Sequence, residues 1–385
     1  MKTSYLKSST GLALGHFSIE IYASLLIPLY PLITQRLNTN LALISIIIAI
    51  VGSSASIIQP YFGFISDKLK HRIFLISGLA IASLFIPLSV KFNSIYIFAI
   101  FLFAGILANA FFHPQASTLM KLFNKNNPDI SRMMGLFLGL GSIGYALGPY
   151  LGTFFYEKLG FENLFYISIF GLLCAFFIYL YVPKIPVEKN IYEGSFLKIL
   201  KEILTNRMCI FLVFLSAVKS AFSVCFGTYV PFLLKDLGFN LTNTGIIVTL
   251  FFVAGGCATI LSSKIEKYIG SRGTMALSML AIFPLGISFL YFLKSAPVFA
   301  ILCFIASGFF AYLSIGVILV LAQQAMPKYT GVISGIIQGT GWGIGGLVLA
   351  PAGVVAQIYG INTVLILISI VALLAGFSCF KTKKP

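Results

Sequence analysis

The sequence has few charges and few of the residues that form soluble enzyme sites. Only 9% of its 385 residues are charged and 59% are hydrophobic, whereas soluble domains carry about 25% charged residues. The six cysteines form no CxxC pair and no cluster with the three histidines. We therefore expect no disulfide framework, no metal site and no cofactor. No phosphate-binding loop or nucleophile–base arrangement occurs either, so we do not expect an enzyme.

The sequence has instead a series of long apolar runs. A helix needs about 20 apolar residues to cross a bilayer. The first run is too long for a signal-peptide core and lacks a small-residue cleavage site, so we expect it to be retained. The pattern predicts an all-α integral membrane protein with twelve transmembrane helices, at roughly 9–36, 41–65, 73–90, 95–119, 132–156, 162–183, 208–234, 241–263, 273–293, 296–325, 329–356 and 360–380.

Positive charge is distributed unevenly over the connections between these runs. With the N-terminus in the cytoplasm, 20 of the 26 Lys and Arg residues fall in inner segments, five in outer loops, and Lys219 inside a span. The positive-inside rule then predicts a multi-pass protein of the cell inner membrane with both termini cytoplasmic. The net charge of +16 indicates topology and contact with anionic lipid headgroups, not nucleic-acid binding.

A polar stretch divides the chain into two similar halves. Residues 184–207 carry five basic and three acidic residues, with six apolar runs on each side. The halves share features at an offset of about 200, such as Pro31 and Pro231. A parallel repeat of six helices is the layout of the major facilitator transporters. We therefore expect six-helix bundles at 1–183 and 208–385, joined by a cytoplasmic linker, in a protein that works as a monomer.

The loop after the second run carries a motif of that superfamily. Residues 63–72, GFISDKLKHR, resemble its signature loop, which begins with a glycine, here Gly63. The resemblance implies that Asp67 caps or pairs with neighbouring helix ends in the outward-facing state and that Lys68 and Arg72 brace it.

The fifth run resembles the motif of proton-coupled drug antiporters of the superfamily. Its glycines recur every four residues and allow close helix contacts, and its proline removes a backbone donor. Thr153 stands in place of the motif's last glycine. The motif indicates export and consists here of Gly144, Gly148, Pro149 and Gly152.

A narrower resemblance covers the N-terminal half. Residues 13–31, 58–68 and 112–114 are similar to segments of the fosmidomycin-resistance exporter family. The resemblance implies export of a small antibiotic such as a phosphonate. Several positions depart from that family's pattern: Glu20 replaces Asp, Ile19 replaces Asn, and Gln115 replaces Glu.

Four ionisable side chains fall inside the apolar runs: His16, Glu20, His113 and Lys219. A charge at the bilayer centre costs about 2.5–3.5 kcal/mol on the insertion scale and usually faces a cavity or an ion path. His16 and Glu20 share a helix face because they are four residues apart. We predict that the two histidines and Glu20 couple protons, and that Lys219, Glu20 and Asn109 contact substrate. A resting Glu20–Lys219 ion pair and histidines that only pack are the structural alternatives.

These observations predict a proton-coupled antiporter. Its partners would be protons, membrane lipids and a small polar, anionic substrate, such as an antibiotic phosphonate or a related metabolite. A carboxylate siderophore as the exported compound, and uptake by symport with protons, remain alternatives. A membrane enzyme or a sensor is a third class, for which no motif is present.

Overall fold

The computed structural model describes residues 2–68, 72–123, 130–183 and 196–380. Within these ranges the regular elements are all helical, which confirms the predicted all-α fold. Short 3-10 turns follow α1, α6 and α12, and a π-helix, Ile336–Thr340, follows α13. The α-helices are α1 Lys2–Ser24, α2 Tyr30–Arg36, α3 Leu41–Lys68, α4 Ile73–Leu88, α5 Ile95–Phe123, α6 Ile130–Asn163, α7 Ser168–Tyr181, α8 Phe196–Thr205, α9 Arg207–Asp236, α10 Leu241–Phe292, α11 Pro297–Leu313, α12 Ile315–Ala325, α13 Thr330–Gly335, α14 Gly341–Leu347, α15 Leu349–Tyr359 and α16 Ile361–Ser378.

Nine helical stretches in the described ranges are long and apolar enough to cross a membrane. Two of them, Leu136–Tyr181 and Leu241–Phe292, contain 46 and 52 residues, which is enough for two crossings each. Both break at a glycine with positive φ, Gly160 at 68° and Gly270 at 71°, where a side chain would be strained. With the shorter apolar helix Ile73–Leu88, this arrangement is consistent with the twelve predicted spans.

The chain forms two compact units. Unit 1 comprises Met1–Thr39, Ile58–Ile191 and Asn240–Thr249, and unit 2 comprises Asn40–Ile57, Tyr192–Phe239 and Leu250–Pro385. The first part of α3 therefore belongs to unit 2, and the first part of α10 belongs to unit 1. The predicted bundle boundaries and the linker stay predictions, since much of the linker lies outside the described ranges.

In unit 1, small residues let α6 lie directly against α1. A Cβ atom at Gly144 or Gly148 would overlap the backbone of α1 or a serine side chain on it, and one at Gly152 would overlap the backbone of Leu25 just after α1. That serine, Ser24, donates a hydrogen bond to the carbonyl of Tyr145 at 2.7 Å. The glycines of the predicted antiporter motif thus position α1, which carries two of the candidate site residues.

Each unit contains a helix start near position 41 or 241 that is capped by a side chain distant in sequence. In unit 1, the Glu157 carboxylate accepts hydrogen bonds from the backbone N–H and the hydroxyl of Thr242, at 3.1 and 2.6 Å. In unit 2, Gln357 Oε1 accepts from the backbone N–H of Leu41 at 3.1 Å. Glu157 and Gln357 are 200 positions apart, so the repeat recurs in these caps, with a carboxylate in one and an amide in the other.

Candidate functional site

Helices α1 and α5 bring three ionisable side chains of unit 1 together. His16 and Glu20 lie one turn apart on α1, with 3.4 Å between His16 Nε2 and Glu20 Oε1. The same carboxylate oxygen lies 3.4 Å from Nε2 of His113 on α5. One ligand atom from each residue lies within 4.8 Å of the others. This acid–histidine cluster unites the three residues that we predicted for proton coupling.

The ring of His16 is fixed by its surroundings on α6. His16 Nδ1 lies 2.9 Å from the carbonyl oxygen of Phe137, and its ring stacks on the Phe137 ring at 4.3 Å. A Cβ atom at Gly141 would overlap the imidazole. His16 is only 6% exposed. These contacts orient Nε2 of His16 toward Glu20. Neither Phe137 nor Gly141 was predicted as a site residue, since no sequence signal marks them.

The orientation of His16 determines what its contact with Glu20 requires. A backbone carbonyl only accepts hydrogen bonds, so we infer from this acceptor that Nδ1 of His16 carries the hydrogen. Nε2 of the neutral ring then presents a lone pair to the carboxylate of Glu20. The contact between these two acceptor atoms, His16 Nε2 and Glu20 Oε1, is favourable only when a proton lies between them. The contact therefore requires one proton, carried by either His16 or Glu20.

Unit 2 buries the amine of Lys219 against aromatic rings. Lys219 lies on α9 and is 3% exposed. Its Nζ lies 4.8 Å from the ring centroid of Trp342 and 5.8 Å from that of Tyr312. Desolvated cation–π contacts are worth about 2 kcal/mol or more. None of the three ion pairs found among the described residues includes Lys219. We refer to Lys219, Tyr312 and Trp342 as the lysine–aromatic cluster.

The local structure of unit 2 explains how Trp342 reaches α9. Trp342 lies just after the π-helix Ile336–Thr340, in the first turn of α14, and π-helices are rare elements that often occur at functional sites. A Cβ atom at Gly341 or Gly345 would overlap residues of α9, so α14 lies close to that helix. Sequence reasoning missed Trp342, although it is the one tryptophan of the chain.

The other predicted site residues are placed as follows. Asn109 is buried one turn before His113 on α5, but these two described residues share no hydrogen bond. The Arg72 guanidinium lies over the ring of Tyr179, 5.1 Å from its centroid. The structure does not describe the side-chain surroundings of three residues of the predicted loop motif: Gly63, Asp67 and Lys68.

The departure at Thr153 has a structural explanation within unit 1. A Cβ atom at Gly245 of α10 would overlap Thr153 and would approach the carbonyl of Pro149. The Thr153 hydroxyl donates to the carbonyl of Tyr150 at 2.9 Å. The antiporter motif has a glycine where this chain has Thr153 on α6. Here the glycine is Gly245 on the facing helix α10, so the close contact between the two helices is retained.

Comparisons with known proteins concern the family and the fold of the chain. The family model of the Major Facilitator Superfamily matches residues 12–350. The fosmidomycin resistance protein of Escherichia coli (strain K12) is 23% identical over 96% of this chain and 91% of its own length. The purine ribonucleoside efflux pump NepI of the same strain is 26% identical over 42% of this chain and 40% of its own length. Among solved structures, the nucleoside transporter NupG superimposes with a TM-score of 0.78 at 16% identity, covering 99% of this chain and 100% of that one.

Proposed function

Because the chain belongs to the Major Facilitator Superfamily, we propose that this multi-pass membrane transporter exports a small polar anion in exchange for protons. Two relatives support the direction by their names, one for fosmidomycin resistance and one for purine ribonucleoside efflux. A location in the cell inner membrane with cytoplasmic termini, and function as a monomer among membrane lipids, belong to the same proposal.

The acid–histidine cluster carries the proton part of this proposal. Its Glu20 oxygen is shared by two imidazole nitrogens, each at 3.4 Å, and the His16 contact requires a proton. Carboxylates and imidazoles inside membrane helices commonly form the proton relays of pumps and transporters. Loss of that proton leaves two acceptor atoms of α1, His16 Nε2 and Glu20 Oε1, facing one another, so this pair repels. Proton binding and release would thereby change the orientation of the Glu20 carboxylate and its contact with His113 on α5.

The lysine–aromatic cluster carries the substrate part. A buried ammonium that has no carboxylate partner among the described residues attracts an anion, and cation–π contacts with Trp342 and Tyr312 compensate only part of its lost hydration. A phosphonate or a carboxylate would supply the missing charge. We propose Lys219 as the anchor of the substrate, whereas the substrate contacts predicted from the sequence for Glu20 and Asn109 stay predictions.

The driving force is sufficient with one proton per cycle. One charge that crosses 100 mV is worth about 2.3 kcal/mol, which corresponds to a gradient of about 50-fold. Export of an anion from a negative interior is favoured by this amount for each charge. Entry of a proton adds a similar term, so a single carboxylate such as Glu20 is enough.

The test is proton movement in respiring everted vesicles that contain wild type, Glu20→Gln or Glu162→Gln. Glu162 is the matched control, because its side chain is 76% exposed and pairs with Arg36 at 3.6 Å. Fosmidomycin, a citrate-like siderophore, a purine nucleoside and a lipophilic cation are added one at a time. We expect an anionic compound to release protons from wild type and the control, and not from Glu20→Gln.

Each outcome of this test is informative. Release that persists in Glu20→Gln would show that Glu20 does not couple protons. Proton movement in the symport direction would overturn export and favour uptake. A response to the nucleoside or the lipophilic cation alone would overturn the anionic substrate.

A further inference from the structure

We propose that the acid–histidine cluster of unit 1 also binds a divalent transition-metal ion, Zn²⁺, at the place where a proton lies in the transport cycle. The inference goes beyond the transport proposal, because it concerns a second occupant and rests on the geometry of three ligand atoms. It also revises our expectation that the chain has no metal site, since the ligands come from helices distant in sequence.

The ligand set matches the preference of Zn²⁺. Two imidazoles and one carboxylate are a common three-ligand zinc set that leaves a fourth position open. Nitrogen ligands favour zinc and its neighbours over Mg²⁺ and Ca²⁺, which prefer oxygen. His16, Glu20 and His113 are each less than a quarter exposed, with side-chain values of 8%, 17% and 23%. An ion held there would be largely shielded from competing water.

The spacing of the ligand atoms fits a tetrahedral ion. Bonds of about 2.0–2.1 Å to zinc place neighbouring ligand atoms about 3.4 Å apart in a tetrahedron. Both imidazole–carboxylate contacts measure 3.4 Å. The remaining separation, between the two imidazoles, is at most 4.8 Å. A movement of the His113 side chain by about an ångström would complete the geometry.

The surroundings of His16 supply the outer-shell contact that zinc sites use. A metal-bound histidine usually donates its second ring N–H to a carbonyl or a carboxylate, which fixes its orientation. His16 Nδ1 has such a partner in the Phe137 carbonyl at 2.9 Å, so its Nε2 lone pair points into the cluster. Zn²⁺ would take up this lone pair and the facing Glu20 oxygen, which displaces the proton that they share. The ion would therefore block coupled transport.

The experiment is a calorimetric titration of ZnCl₂ into the purified full-length protein in detergent, with no substrate present. Wild type is compared with Glu20→Gln and His113→Gln. Two controls are Glu162→Gln, an exposed acid, and Cys257→Ser, which removes an exposed thiol. We expect one ion per chain in wild type and both controls. Loss of either ligand should weaken binding at least about 100-fold, the upper end of the loss seen for outer-shell partners.

A Co²⁺ spectrum of wild type keeps the test decisive if a variant fails to fold. Nitrogen and oxygen ligands give the visible absorption of tetrahedral Co²⁺ without a thiolate charge-transfer band. No binding by wild type, a thiolate band, or unchanged affinity in a folded ligand variant would overturn the proposal. Because no transport is measured, this result is independent of the vesicle experiment, and either proposal can fail alone.

Discussion

The two units bury opposite charges on corresponding helices and stabilise them by different chemistry. Glu20 on α1 and Lys219 on α9 lie within one position of the 200-residue repeat. Glu20 contacts the nitrogens of His16 and His113, whereas Lys219 lies over aromatic rings. Imidazoles exchange protons readily, and aromatic rings exchange none. One cluster is therefore suited to proton exchange between neighbouring side chains, and the other to contact between a single buried amine and an anionic ligand.

This contrast assigns the two clusters separable roles that substitutions can test. A change in unit 1 should affect coupling to protons, while a change in unit 2 should affect affinity for the substrate. If both changes gave the same defect, the contrast between the clusters would have no functional meaning.

The largest effect is expected for Glu20→Gln. The amide keeps the size of the side chain but cannot release a proton, so proton-driven accumulation of the substrate should be abolished. Exchange of labelled for unlabelled substrate across the membrane should persist, because it needs no net proton movement. Counterflow in proteoliposomes, measured with and without a pH gradient, checks both parts.

Loss of exchange together with accumulation in a folded Glu20→Gln variant would contradict this separation. It would place Glu20 in the substrate site itself. Glu162→Gln should retain both activities, which controls for the general loss of an acidic residue.

The second effect is expected for Lys219→Met. The apolar side chain fills similar volume without a charge, so an anionic substrate loses its partner. Truncation of one member of a buried charge pair costs about 2–5 kcal/mol, so KM should rise at least about 30-fold. Thermal unfolding in detergent should show no loss of stability, since the buried ammonium is no longer desolvated.

Trp342→Phe is the companion to Lys219→Met. It keeps an aromatic face beside the ammonium and should raise KM much less than Lys219→Met. Equal KM values for wild type and Lys219→Met would remove Lys219 from the substrate site.

Most of the fold could be predicted from the sequence, because each membrane helix is a long apolar run that can be recognised from its own residues. Glu20 and His16 could also be paired, since their spacing alone places them on one helix face. The addition of His113 to that pair depends on how α5 packs on α1, which no local pattern specifies. Trp342 was missed for the same reason, because its approach to Lys219 depends on the close packing of α14 on α9.

The third effect concerns contacts in which we expect the two units to behave alike. An alanine at Gly148 would overlap α1 in unit 1, and one at Gly345 would overlap α9 in unit 2. Overpacking of this kind typically costs about 1–3 kcal/mol. Both variants should therefore unfold at lower temperature than wild type, with reduced transport.

Gly139→Ala is the matched control on α6, because nothing lies within 4 Å of a Cβ atom at that position. It should be neutral or should stabilise the helix by up to about 1 kcal/mol. A loss of stability equal to that of Gly148→Ala would show that contact with α1 does not decide the result.

The smallest effect is expected for the two helix caps, which are formed by the carboxylate of Glu157 in unit 1 and by the amide of Gln357 in unit 2. Glu157→Gln makes the cap of α10 resemble that of α3, where Gln357 accepts the hydrogen bond. One acceptor oxygen is kept for the backbone N–H of Thr242, while the other becomes an NH₂ group that can donate to the Thr242 hydroxyl. The negative charge at a helix N-terminus is lost, which is worth about 0.3–1 kcal/mol at low salt. Gln357→Glu should gain a similar amount of stability. Thermal unfolding at low and high salt checks this, because screening should remove both differences. A loss of stability in Glu157→Gln that persists at high salt would mean that the cap depends on hydrogen-bond geometry and not on charge. The charge difference between the two units would then matter only in the buried clusters.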